Sequence, residues 1–178
     1  MRGRLDARAA ALALLLALGA GCRGPLIEEA AGFRHREQAW SIGRPEVAGA
    51  PWTRVELDGA LLAFERRDHE LLSLQSHCGR PIASAELLAR HLLIGLRGRE
   101  VVAAGPVEVD GRSAWRQSVT LTANGLPARL ETVTVVAGSC TLDWILAQRG
   151  SDPDAIASFD AWWASFRGPP ERREEPAS

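Results

Sequence analysis

The chain holds few residues that could do chemistry, and their spacing argues against most reactions. His69-Glu70-Leu71-Leu72-Ser73 begins like the zinc string H-E-x-x-H, but its fifth residue is Ser73 and its surroundings read as a turn running into a strand. Two ligating histidines at that spacing share a face only on a helix. His35-Arg36-Glu37 has the order found in zinc deaminases, without the P-C-x-x-C partner that completes the ligand set. His77, Cys78, His91 and Cys140 are the one group with enough nitrogen and sulfur donors for zinc, which takes four ligands or three and a water. Ser76-His77, or Ser139 with an acid, offers the residue types of a hydrolase, yet nothing places an oxyanion hole beside either. G-x-S-x-G, a glycine-rich phosphate loop and a dinucleotide fingerprint are all absent from the sequence. The reading is of a chain with no catalytic set, no metal and no cofactor.

Composition narrows the partners. The 178 residues, 46% hydrophobic with a formal net charge of −1, suit one ordinary domain and give no reason to expect nucleic acid or another polyanion. All 21 basic residues are arginine, and the chain has neither lysine nor tyrosine. That excludes a Walker lysine, a Schiff-base lysine, a Ser–Lys nucleophile pair and tyrosine acid or base chemistry. Arg112, Arg116 and Arg129 are expected on polar faces of neighbouring strands. They could together bind an anion or a partner, or they could pair with Glu108, Asp110 and Glu131 on solvated strand faces. Trp162 and Trp163 are adjacent on an expected helix, where neighbours point about 100° apart, so one of them at most faces the core fully. Trp162 is expected at the edge of the helix–sheet contact, within reach of a partner; plain packing at the core edge is the alternative.

The first residues report a compartment. Arg2, Arg4 and Arg8 precede an apolar run, Ala9 to Leu18, that is shorter than the ~20 residues needed to span a bilayer. The run ends in Leu18-Gly19-Ala20-Gly21-Cys22, small residues directly before a cysteine, which resembles the lipobox of bacterial lipoproteins; Gly19 stands where an aliphatic residue is usual. The resemblance implies a signal peptide over residues 1–21, cleavage before Cys22 and acylation of its thiol, palmitate included. Each buried methylene contributes ~0.8 kcal/mol, so two or three chains anchor the protein firmly. An ordinary secretory signal cut near Ala20 or Gly21 is the alternative. Either way Cys78 and Cys140 remain as an even pair in an oxidising space. They read as a structural disulfide, worth roughly 4 kcal/mol for a loop of that length. Two buried free thiols, or redox or metal chemistry, are the other readings.

The elements follow from periodicity. Residues 22–51, broken by Gly24-Pro25, Gly43-Arg44-Pro45 and Gly49-Ala50-Pro51, read as a tether with one helical turn around Glu28–Phe33. Strands are expected at Trp52–Leu57, Ala60–Glu65 and Leu71–Cys78, then a helix from the cap Ser84 to about Leu93 with Gly95 as its stop. A four-strand meander should follow at Arg99–Val109, Arg112–Ala123, Pro127–Ala137 and Cys140–Ala147. Asp152-Pro153 then opens a closing helix to Phe166, with Ile156, Phe159, Trp163 and Phe166 as its core stripe. Residues 168–178 read as a disordered tail. The class is α+β: one antiparallel sheet of six to seven strands packed with two main helices, a single domain over residues 52–167.

The Cys78-Gly79-Arg80-Pro81 break, the helix with His91-Leu92-Leu93-Ile94-Gly95, the meander, and the final Phe159, Trp163 and Phe166-Arg167 resemble the PsbP/Mog1-like α/β/α sandwich, and within it a group of bacterial lipoproteins of that shape. The resemblance covers residues 52–167. It implies a binding or assembly factor in place of an enzyme, and it carries no catalytic residues onto this chain. The expected function is therefore a non-enzymatic, lipid-anchored envelope protein that binds another envelope protein, with Trp162, Arg112, Arg116 and Arg129 as candidate contacts. A carrier holding an apolar, lipid-like ligand between sheet and helices is the alternative. Arg23 follows the cysteine where enteric inner-membrane lipoproteins have aspartate, so the outer membrane, facing the periplasm, is expected.

Intact-mass measurement checks the anchor. The mature protein should begin at Cys22 and carry acyl mass, and Cys22→Ala should carry none. An unlipidated wild-type product beginning at another residue would rule the anchor out.

Overall fold

The structure, a computed structural model, describes residues 25–45, 51–67, 69–79, 83–123 and 125–169. The expected signal peptide, the lipidation site Cys22 and the tail beyond residue 169 lie outside the described residues. Seven antiparallel strands form the main sheet: β4 (Thr53–Val55), β5 (Leu62–Arg66), β6 (Glu70–Cys78), β7 (Glu100–Val109), β8 (Arg112–Ala123), β9 (Leu126–Ala137) and β10 (Cys140–Gln148), in the order β4-β5-β6-β10-β9-β8-β7. Three short strands, β1 (Leu26–Glu29), β2 (Gly32–His35) and β3 (Ser41–Gly43), form a second sheet. The helices are α1 (Ala85–Leu92) and α2 (Pro153–Ala164). The α+β class and the meander stand as the sequence predicts, and β8 has the predicted bounds.

Alternation explains the main sheet. Arg116, Val133, Trp144, Leu74 and Leu62 lie in one row across β8, β9, β10, β6 and β5. Neighbouring rows on this face add Leu142, Leu146, Val135, Leu72 and Phe64, all buried. Each side chain two residues on returns to the same face, so the face is apolar from β5 to β9, with Arg116, Ser118 and Glu131 at its β8 side. Helix α2 lies on it. Asp152 caps the helix by accepting from the Asp154 N–H at 2.9 Å, with Pro153 at its first position.

The stripe of α2 differs from the expectation. Ala155, Phe159 and Trp162 are buried, Ile156 and Trp163 are only partly so, and Phe166 is buried just beyond the helix. The second sheet causes the difference, and it corrects the tether expected over residues 22–51. Its Phe33, Trp40 and Ile42 belong to the same core as Trp144. Trp40 and Trp144 both pack on Phe166, and Phe64 meets Trp162 edge-on at 5.6 Å. Trp162 donates its indole N–H to the Gly43 carbonyl, and Ser41 and Arg167 exchange backbone hydrogen bonds at 2.8 and 2.9 Å. Glu28–Phe33 is thus strand, turn and strand, not a helical turn. Gly32 permits the close approach: a Cβ there would lie 2.1 Å from the Ile42 carbonyl oxygen.

On the opposite face α1 packs mainly on β8 and β9. Ser84 caps it, accepting from the Leu87 N–H at 3.3 Å. Its contact residue is the fully buried Ala89, whose carbonyl accepts from the Gln117 side chain at 2.7 Å. Leu88 and Leu92 are half-buried and His91 is exposed.

Cys78 and Cys140 form a disulfide at the last register pair of β6 and β10, with Cα atoms 4.0 Å apart. It spans a sequence separation of 62 and ties the first half of the sheet to the meander. Closing so long a loop restricts the unfolded chain. Reduction should therefore lower the unfolding free energy by about 2–4 kcal/mol, read by urea denaturation with and without reductant. Two titratable thiols in the native, air-exposed protein would refute the bond.

Candidate functional site

The sequence-predicted ligand sets do not assemble. Cys78 and Cys140 are bonded to one another, while His77 and His91 are exposed on β6 and α1. Among the described residues no group of three or more His, Cys, Asp or Glu side chains is placed to hold a metal ion. Glu70 is buried against Arg66 in an ion pair across the β5–β6 hairpin, and Arg66 also reaches Asp152 at 3.1 Å. His35 is buried against Trp40, and its Nδ1 accepts from the N–H groups of Glu37 and Gln38. Burial holds its pKa below the ordinary value; the Glu37 charge acts the other way. It shapes the β2–β3 turn.

Two expectations about partner contacts are corrected. Trp162 has no accessible surface, because the second sheet closes over the flank of α2 that the sequence left open. Nor do the three arginines form a free cationic patch. Arg116 pairs with Asp160 at 2.9 Å and Glu131 at 3.6 Å. Arg129 pairs with Glu131 at 2.7 Å and donates to Ser118 Oγ, which itself donates to Glu131. Arg112 is buried at the far end of β8, pairs with Asp110 at 2.8 Å and donates to the Pro169 carbonyl. The Gly168 N–H donates to the same Asp110 carboxylate, and with Arg112 it keeps that carboxyl's pKa below the ordinary value. Of the acids expected to pair, Asp110 and Glu131 do so. Glu108 lies opposite Ser113, on the other face.

A site that the sequence reading missed lies on the face toward α1. Trp115, Thr134, Asp143 and Gln75 form one row across β8, β9, β10 and β6. Asp143 is 5% exposed and accepts from Thr134 Oγ1 at 2.6 Å. Its burial raises the carboxyl pKa above the ordinary 3.8, against the opposing pull of the Thr134 hydrogen bond and the His77 charge. Ser73, Thr132 and Thr141 are buried on the same face, and Thr132 Oγ1 has no hydrogen-bond partner. The signal was available: Asp143 is the one acid in β10, directly beside Trp144.

A second feature is a set of exposed large apolar residues on α1, just after it and on β7. Leu87, Ile94, Val101 and Val102 are 46%, 69%, 48% and 55% exposed. β7 ends the sheet, so one side of its backbone pairs with β8 and the other has no strand neighbour among the described residues. A cleft of about 170 Å³ opens over Ala103–Val107 and residues 116–118 of β8.

No protein-family model matches the chain, and no curated protein does. Solved structures do. The solution structure of cyanobacterial PsbP (CyanoP) from Synechocystis sp. PCC 6803 superposes with a TM-score of 0.57 at 15% identity, covering 84% of this chain and 95% of that one. The crystal structure of LpqN, involved in cell envelope biogenesis of Mycobacterium tuberculosis, also gives 0.57, at 14% identity over 81% of this chain and 90% of that one. The fold is PsbP-like.

Asp143 makes stability depend on pH. Its folded-state pKa lies above the unfolded one, so the fold binds the proton more tightly. Stability is highest below the unfolded value of 3.8 and falls as pH rises from there to the folded value. Asp143→Asn keeps the acceptor for Thr134 and removes the charge. It should raise Tm at pH 7 by a few degrees, at about 2–4 °C per kcal/mol, and leave Tm unchanged near pH 3. Equal gains at both pH values would separate the effect from ionisation.

Proposed function

We propose that the chain is a lipid-anchored protein of the cell envelope, attached through Cys22 to the outer membrane and facing the periplasm. It binds another envelope protein and catalyses no reaction itself. The observation that carries the reading is the exposure of four large apolar residues, Leu87 on α1, Ile94 just after it, and Val101 and Val102 on β7. Where exposed large apolar side chains form one contiguous patch, they mark a protein contact site. The Cys78–Cys140 bond suits an oxidising compartment. The involvement of LpqN, a protein of like fold, in cell envelope biogenesis is in keeping with such a place. The volume where an apolar ligand would sit between the main sheet and α2 is filled by Trp144, Phe159, Trp162 and Phe166, which favours a protein partner over a carried lipid.

Photocrosslinking in cells tests this. A crosslinking side chain placed at Leu87, Ile94 or Val102 should give one common envelope-protein adduct. Leu57 and Leu126, exposed elsewhere, serve as controls and should not give it. The absence of any adduct from the three positions, or the same adduct from all five, would remove the reading.

A further inference from the structure

The fold begins close to the residue expected to carry the lipid. Pro25 already accepts the Arg36 N–H at 2.9 Å, and Leu26 opens β1. Only Arg23 and Gly24 lie between Pro25 and Cys22. Three residue steps, fully extended, span at most about 11 Å. The tether expected over residues 22–51 would let the domain stand far off a membrane; a link of this length does not. Beside Pro25 is the β2–β3 turn, residues 36–39, in which Arg36, Glu37 and Ala39 are exposed. At the other side of the second sheet Ser41 of β3 bonds to Arg167, about 14 Å from β1 at ~4.8 Å per strand spacing. The next residue, Gly168, donates to Asp110 at the β7–β8 turn. A run of hydrogen bonds thus joins the Pro25 end of the second sheet to the Val109 end of β7.

Resting on the reading that Cys22 is acylated, we infer that the domain lies directly on the lipid bilayer, with Pro25 and the 36–39 turn against the headgroups, and that Ile94, Val101 and Val102 are held away from it. The covalent link decides what this surface meets: acyl chains buried in the bilayer keep Pro25 within reach of the headgroups whatever else the domain binds. Charge is not what holds it there, since Arg36 and Glu37 of the turn carry opposite signs. Two separations keep the exposed apolar residues off the bilayer. α1, which Ile94 follows, packs on the face of the main sheet opposite α2 and the second sheet. Val101 and Val102 begin β7, about 25 Å from Val109 at ~3.3 Å per residue, and Val109 is the end tied to the second sheet through Asp110 and Gly168. A partner that meets those residues does so on the side away from the bilayer, with a part of itself that is in water.

The test places the full acylated chain in vesicles of phosphatidylethanolamine and phosphatidylglycerol, a fraction of which bears a nitroxide on the headgroup. A fluorescent amino acid in place of Glu37 should be quenched several-fold more than one in place of Val102. A spacer of about 20 Gly and Ser residues inserted between Arg23 and Gly24 has an r.m.s. reach of about 25 Å. It should bring quenching at Glu37 down to the level at Val102 and leave Tm unchanged, since it lies outside the fold. Equal quenching at the two positions without the spacer, or stronger quenching at Val102, would overturn the inference. So would quenching at Glu37 that survives the spacer, because the contact would then come from surface affinity and not from the link. Intact mass separates the two claims. Equal quenching with the acyl mass present removes the orientation alone; a chain without acyl mass removes the anchor and the orientation together.

Discussion

Covering the two faces of a seven-stranded sheet with two short helices is the constraint on which the rest of this structure depends. Strands of up to 12 residues are about 40 Å long at ~3.3 Å per residue. α1, with eight residues, spans only about 12 Å at ~1.5 Å per residue. One helix of that size cannot shield a face. The face toward α2 is apolar because α2 and the second sheet cover it together. The face toward α1 carries Ser73, Thr132, Thr134, Thr141 and Asp143 at the sheet centre, all buried, where Asp143 is satisfied by the Thr134 hydroxyl.

Two attachments hold the ends of α2, one to the second sheet and one to the main sheet. At one end the C-terminal turn of α2 is held to β3: Ser165 Oγ accepts from the Gly43 N–H at 3.0 Å and donates to the Trp162 carbonyl at 2.6 Å. At the other end Arg66 joins the β5–β6 hairpin to Asp152, the cap of α2, while its guanidinium lies 4.9 Å from the centre of the Trp52 ring. The helix is therefore fixed at both termini by polar contacts and along its length by Phe159 and Trp162. A buried guanidinium left without Glu70 would be strongly destabilising, so the pair fixes the hairpin's geometry more than it adds net stability.

Much of the main sheet was legible because its strands are long enough for period-2 alternation to repeat. Arg112–Ala123 is the clearest case, and Asp152-Pro153 marked the start of α2 for an equally local reason. The second sheet was not legible. Its strands have three or four residues, too few for alternation, and its Gly-Pro and Gly-Arg-Pro punctuation is also that of a linker. Phe33, Trp40 and Ile42 were the signal against a tether, since a solvated linker has no use for three large apolar side chains. The Trp162 expectation failed for the same cause. Periodicity fixes which side chains share a face of a helix; the number of faces buried depends on what else packs there, and that was the element misread. Asp143 was hidden by an apolar strand that draws attention to its hydrophobic neighbours.

The pairing of the meander arginines bears on what kind of surface is left for recognition. An arginine fork can engage a carboxylate and a second acceptor at once, which lets Glu131 serve both Arg116 and Arg129 while Ser118 bridges the group. Arg112 is likewise engaged by Asp110 and the Pro169 carbonyl. Recruiting any of them to an external anion would strand a carboxylate, and Glu131 is buried. Recognition through the meander therefore cannot lean on these cations without disturbing the fold. What the meander offers at no such cost is the backbone of β7, which has no strand neighbour beyond it among the described residues. Charge pairing and aromatic packing thus hold the face under α2, while β7, with Glu100 and Glu108 near its ends, has a strand neighbour on one side only among the described residues.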